Sequence, residues 1–252
     1  MKNQNLLFFP FLFALGIGLF SCNFGNSGNV SNYQNTPAVV SIDYTIGGNG
    51  ILLGTPYGYF AAPELSNMLM DGECVYLQQF SIDYDNQLSD QYTTITNVVE
   101  VSVNQSLCEQ SDTVQIGDYT LPLTNASGIA SAYYKGKFFI GATSNDNNPS
   151  FRLVYNNTKD DADGTKNVYL VAKPSGTGSS GTGAIQAFDL SALIRDFGRD
   201  TTVVVSGTSQ SYDLKYISLN LNYLSGISST GVPTYSPVSQ QNPFLISVFR
   251  NQ

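Results

Sequence analysis

Lys159-Asp160-Asp161-Ala162-Asp163-Gly164 is the densest group of carboxylates in the chain. Alternating aspartates ahead of a glycine can turn oxygens toward a hard cation, which makes Asp161 and Asp163 candidate calcium ligands. A full loop of that kind needs a further carboxylate at its twelfth position, and Asn167 to Ala172 brings none. The same residues suit a solvated hairpin turn, which Asp and Gly favour for local backbone reasons. A second candidate group is aromatic: Tyr57, Tyr59 and Phe60 cluster around Gly58. Exposed rings on a β surface stack on sugars or pack against a partner protein, whereas half-buried strand tyrosines only keep their hydroxyls wet. Tyr133-Tyr134 ahead of Lys135-Gly136 presents the same choice.

Catalysis is constrained from the start, because the chain contains no histidine. That removes the commonest general base, proton shuttle and metal ligand together. Imidazole-dependent triads and the usual zinc hydrolase sites are excluded, and Cys74 has no imidazole to activate it as a nucleophile. Two carboxylates alone can hydrolyse a glycoside, but no spacing marks which pair would converge. No catalytic residue and no cofactor is therefore expected.

Cys22 carries different chemistry. Lys2 leads into an apolar run from Leu6 to Phe20, and small Ser21 precedes the cysteine. The run is short for a membrane span, which needs about 20 residues, and its order is that of a signal peptide with a lipidation box. Residues 1–21 are expected to be removed and Cys22 acylated. Each buried CH₂ contributes about 0.8 kcal/mol, so several chains on one cysteine hold a protein to a bilayer. Asn23 follows, with no aspartate there as an inner-membrane retention signal, so the outer membrane is expected. No acidic cluster comes next, and the face of the membrane is left open. Residues 22–36 are rich in Gly, Asn and Ser and read as a flexible tether.

Composition narrows the partners. The 252 residues carry a formal charge of -8, which argues against nucleic acid or an anionic surface bound through a basic patch. Cys74 and Cys108 remain for an oxidising compartment. They are either a disulfide, stabilising by about 3 to 4 kcal/mol in the chain-entropy model, or two buried thiols in separate strands.

The elements that would position these residues are mostly strands. Phe80, Ile82 and Tyr84 alternate with polar neighbours, as do Val99, Val101 and Val103, and Ile217, Leu219, Leu221 and Tyr223 do so most cleanly. Gly47-Gly48-Asn49-Gly50 predicts a hairpin turn, and Pro63 to Asp71 a short helix. Asp189 fits a helix N-cap, with Leu190, Leu193, Ile194 and Phe197 on one face and Gly198 closing the helix. Ser175 to Gly183 reads as a surface loop, and Asn125-Ala126-Ser127-Gly128 as the break between two units. An all-β sandwich or barrel architecture follows, with one short helix in the second unit.

The order Gly50-Ile51-Leu52-Leu53, then Gly72-Glu73-Cys74-Val75-Tyr76 leading into Phe80-Ser81-Ile82-Asp83-Tyr84, resembles the first half of NigD-like lipoproteins. Ala187-Phe188-Asp189-Leu190-Ser191-Ala192-Leu193, followed by Thr202 to Val205 and Tyr216 to Tyr223, is similar to their second half. The resemblance implies a small OB-like barrel over 37–125, a β-sandwich over 129–252, and an envelope lipoprotein with no catalytic residues to carry over. The expected role is binding, as an accessory or structural subunit alongside another envelope protein. A glycan-binding lipoprotein of nutrient uptake and a carboxylate glycoside hydrolase are the rivals.

Overall fold

The computed structural model describes residues 29–44, 50–65, 69–88, 90–156, 163–176, 183–204, 210–238 and 242–249. Cys22, the signal segment, the glycine turn at 47–49 and Asp161 lie outside them. The described residues form fifteen strands and one helix.

The first five strands close into a barrel: β1 (Val30–Asp43), β2 (Gly50–Thr55), β3 (Gly58–Ala61), β4 (Cys74–Asp83) and β5 (Thr93–Ser102), in the order β1-β2-β3-β5-β4 and back to β1. Closure leaves no sheet edge, and this five-stranded arrangement is the OB-like one expected. β1 is long enough to serve both neighbours. Its first part, Val30 to Val39, pairs antiparallel with β4, and Val39 to Asp43 pairs with β2. Pro37 is accommodated where only the β4 side of the strand is paired. The expected tether therefore ends earlier than its composition suggested, because backbone pairing, which the side chains do not advertise, orders residues from Val30 onward. Val40, Leu53, Phe60, Leu77, Phe80 and Ile95 fill the interior.

The expected helix at 63–71 is absent from the described part of that segment. Turns occupy it instead, with the Glu73 carboxylate accepting from the Met70 N–H at 2.9 Å, and Leu65 and Leu69 sealing the barrel. β5 departs from the expected alternation as well. Asn97 has φ 52, and the β4–β5 register shifts around it. One extra residue in a strand flips the parity beyond it, so Ile95 and Val98 face inward while Val99 and Val101 are exposed.

Val103 joins the barrel to the second module. There β6 (Asn104–Gln110), β7 (Leu123–Tyr134), β8 (Lys137–Ser144), β9 (Ser150–Tyr155), β10 (Lys166–Lys173) and β11 (Gly183–Asp189) precede the helix α1 (Ser191–Phe197). β12 (Arg199–Val204), β13 (Ser211–Ile227), β14 (Pro233–Pro237) and β15 (Phe244–Phe249) complete it. The sheet order is β12-β13-β10-β9-β6-β11-β8-β7, with β14 and β15 also on β13. β6 makes the corner: Asn104 to Leu107 pair parallel with β11, and Cys108 to Gln110 pair parallel with β9. A strand shared in this way folds one sheet into two facing layers. Phe138 of β8 meets Phe244 of β15 edge-on across the interior, with ring centroids 5.1 Å apart. The modules thus meet at Val103, and residues 125–128, expected as the break between units, are part of β7.

β13 is the spine of the outer layer, pairing along its length with β12, β15, β10 and β14. Ile217, Leu219 and Leu221 are buried as their alternation requires. α1 buries Leu193 and Ile194 beneath the layers, and the Asp189 carboxylate accepts from the Ser191 N–H at 2.8 Å just ahead of it. The helix ends where the backbone turns extended at Gly198 (φ -66, ψ 139), a position at which a Cβ would lie 2.4 Å from the Ile194 carbonyl oxygen.

The layer containing β8 and β11 is buried on both faces. Phe138, Ile140 and Phe188 enter the interior of the second module, while Phe139 and Ala187 point the other way and pack with Cys74, Tyr76 and Val103 against the barrel. Phe139→Ala should therefore cost about 3 to 5 kcal/mol, the usual range for a buried phenylalanine. Urea unfolding would read it, and a loss below about 1 kcal/mol would show that this seam does not hold the modules together.

Candidate functional site

The seam is solid at Cys74, Tyr76 and Phe139, and beyond Tyr76 the two modules diverge. Between them lies an open cleft of about 430 Å³. The barrel side is built by Asn35, Tyr76, Gln78 and Val101. Tyr76 and Gln78 are two apart on β4 and so share a face, Val101 is the cross-strand partner of Tyr76, and Asn35 (φ 55) follows Gln34 on β1. The opposite wall comes from Asn104 at the start of β6, Asn147, Asn148 and Pro149 between β8 and β9, and β11 from Gly183 to Gln186. Gln186 and Asn104 are register partners. Six of the lining residues are amides, and none is Asp, Glu, Lys or Arg.

Gln186 is the unusual member. It is only 5% exposed, yet its side-chain amide has no hydrogen-bond partner among the described residues. No described side-chain nitrogen or oxygen that is shut off from solvent lacks a partner, so this amide is solvated through the cleft. Asp146 holds the loop that carries the two asparagines. Its carboxylate accepts from the Ser175 hydroxyl, from the Ser175 N–H at 3.0 Å and from the Asn148 N–H at 3.0 Å. The Ser175 hydroxyl and the Asn148 N–H keep that carboxyl below its ordinary range.

The aromatic candidates separate. Tyr57 and Tyr59 are 59% and 49% exposed, but Phe60 is inside the barrel, with its ring 5.5 Å from that of Phe80. Adjacent strand residues face opposite ways, so the three never formed one platform. Tyr59 has a structural occupation. The Lys135 ammonium stands 4.2 Å from its ring centroid and donates to its hydroxyl. Lys135 and Gly136 turn β7 into β8 with φ 44 and 82, a two-residue turn of positive φ whose twist suits a hairpin. Tyr134 lies beside them, its hydroxyl pushed well up by burial.

Asp163 accepts from the Thr165 N–H at 2.9 Å, and the Arg199 guanidinium donates to its backbone carbonyl at 2.9 Å. Asp163 thus sits in a turn, Lys159 to Ala162 lie outside the described residues, and no group of three potential metal ligands occurs among the described ones.

The disulfide does not form: Cys74 and Cys108 are free. Cys74 is part of the seam and Cys108 is inside the second module, so the two belong to different cores. Burial pushes the Cys74 thiol up to about 11, and the Cys108 thiol up to about 12. Both are thus inert as nucleophiles at neutral pH.

Sequence reasoning missed the cleft. Its one signal was Gln186, a polar residue set between Ile185 and the buried pair Ala187 and Phe188. The other asparagines and glutamines look like solvating surface until the modules are placed together.

No protein-family model and no curated protein sequence matches this chain. Solved structures share its fold. An uncharacterized protein from Parabacteroides merdae is 15% identical and aligns over 81% of this chain and 96% of its own, with a TM-score of 0.56. A candidate lipoprotein from Bacteroides fragilis is 10% identical over 87% of this chain and 97% of its own, with a TM-score of 0.51. A NigD-like immunity protein from Bacteroides caccae is 12% identical over 88% of this chain and 98% of its own, with a TM-score of 0.45. At such identities the likeness is one of fold.

Two predictions follow from this chemistry. Iodoacetamide at mildly alkaline pH should leave Cys74 and Cys108 unmodified in the native protein and alkylate both in urea. Intact mass reads the result, and native labelling of Cys108 would contradict its burial. The second concerns Asp146, whose lowered pKa stabilises its loop above the ordinary carboxyl value of 3.8 and ceases to do so as pH falls through the folded value. Amide exchange at Asn148 should therefore gain protection as pH rises through that window, after correction for intrinsic rates, while β8 stays protected throughout. A flat corrected profile at Asn148 would remove Asp146 from this role.

Proposed function

We propose that this chain is a lipid-anchored outer-membrane protein that acts by binding, as an accessory or structural subunit of an envelope complex. Membrane attachment is supported by the apolar run closed by Ser21-Cys22. The fold shared with a candidate lipoprotein fits that reading. The observation that carries the binding role is the cleft of about 430 Å³ between two modules that a buried seam holds in one relation. Its volume is in the range of about 300 to 1,000 Å³ that ligand sites occupy, and junctions between domains are where such sites concentrate. A chain without histidine gains more from a preformed surface than from proton transfer.

Cells fed an alkyne-tagged palmitate should label the wild-type protein and carry it in the membrane fraction. Cys22→Ala should lose the label. A label that survives the substitution would remove the anchor from Cys22. For the subunit role, the lipidated protein is captured from detergent-solubilised membranes and read by mass spectrometry. Co-recovery of another envelope protein in stoichiometric amount is expected, and recovery of this chain alone would overturn the role.

A further inference from the structure

We infer that the cleft between the modules is a binding site for an uncharged saccharide. This rests on the reading that the protein works by binding, and it names the ligand class.

The lining selects the chemistry. Asn35, Gln78, Asn104, Asn147, Asn148 and Gln186 each carry an amide that both donates and accepts. A sugar hydroxyl also donates and accepts, so facing amides satisfy neighbouring hydroxyls in both senses. Tyr76, Val101, Pro149 and Ile185 provide apolar surface among the amides for the C–H face of a sugar ring.

Other ligand classes fit less well. An apolar ligand would strand the amides without water, which costs binding for each one left unpaired. An anionic ligand would find no cationic side chain in the lining of a protein whose formal charge is already -8. An extended peptide needs a strand edge. Within the cleft only Gly183 to Ile185 of β11 lack a partner on the β6 side, which is short of the five or so residues typical of a strand.

Gln186 supplies the observation that points to a ligand. A buried amide is normally bonded within the protein, and leaving one unpartnered costs stability. Here it sits in β11 between half-buried Ile185 and buried Ala187 and lines the cleft, where a ligand hydroxyl completes it. The asparagines of the β8–β9 loop, which Asp146 ties down, form the rim across from Asn35 and Gln78.

The test uses the full chain purified in a detergent without a sugar headgroup. It is applied to an array of immobilised neutral gluco-, manno-, xylo- and galacto-oligosaccharides, with uronic-acid and sulfated oligosaccharides and a library of short peptides as further arms. Binding to at least one neutral saccharide is expected. Calorimetry with that saccharide should show affinity lowered about tenfold in Gln186→Leu, the worth of one hydrogen bond. Asn148→Ala, at an exposed position, gives a similar loss and keeps the test valid if Gln186→Leu fails to fold. The inference is overturned if no neutral saccharide binds, if acidic ones bind better, or if both variants bind as the parent does. Peptide capture that Asn148→Ala abolishes would overturn the saccharide and leave the binding reading intact. Loss of the palmitate label bears on the anchor alone.

Discussion

The structure depends on one layer of sheet being dry on both sides. In β8, Phe138 and Phe139 are neighbours and therefore point to opposite faces, and both are fully buried. The first belongs to the interior of the second module and the second to the seam against the barrel. β11 repeats the pattern with Phe188 and Ala187. A strand of an antiparallel pair that faced water on one side would need a polar residue at every second position, and the run Phe138-Phe139-Ile140 has none. The barrel is thus a cover that this layer requires. At the end of the same layer the half-buried Lys137 ammonium meets the Asp189 carboxylate at 3.0 Å, and Lys135 packs on Tyr59 of the barrel. The first contact joins β8 to β11 within the layer, and the second ties the β7–β8 turn to the barrel.

Two convex bodies joined along a seam must separate at its margin, and the side chains there decide whether the gap is dry, filled or wet. Here the change is abrupt. Tyr76 is buried in the seam, and two residues along the same face Gln78 is exposed. On the facing wall, Ala187 is in the seam while the adjacent Gln186 opens to the cleft. Gln186 is 5% exposed and lines this wet margin, where water solvates its amide in place of a protein partner.

Where local pattern governs, the fold was legible in the sequence. β13 alternates Ile217, Leu219 and Leu221 with polar residues because one of its faces is wet, and α1 places Leu193 and Ile194 on its buried side because a helix repeats every 3.6 residues. Reading failed where tertiary contacts overrule local preference. Residues from Val30 onward look like tether but belong to β1, since their order comes from backbone bonds to β4. The bulge at Asn97 turns Val99 and Val101 outward, which no count of alternating residues reveals. Residues 125–128 carry turn-forming types, yet pairing with β8 draws Asn125 to Gly128 into β7. The candidate site was the least legible part. Its walls come from β1, β4, β5, β6, the β8–β9 loop and β11, so each amide is ordinary until the others are beside it.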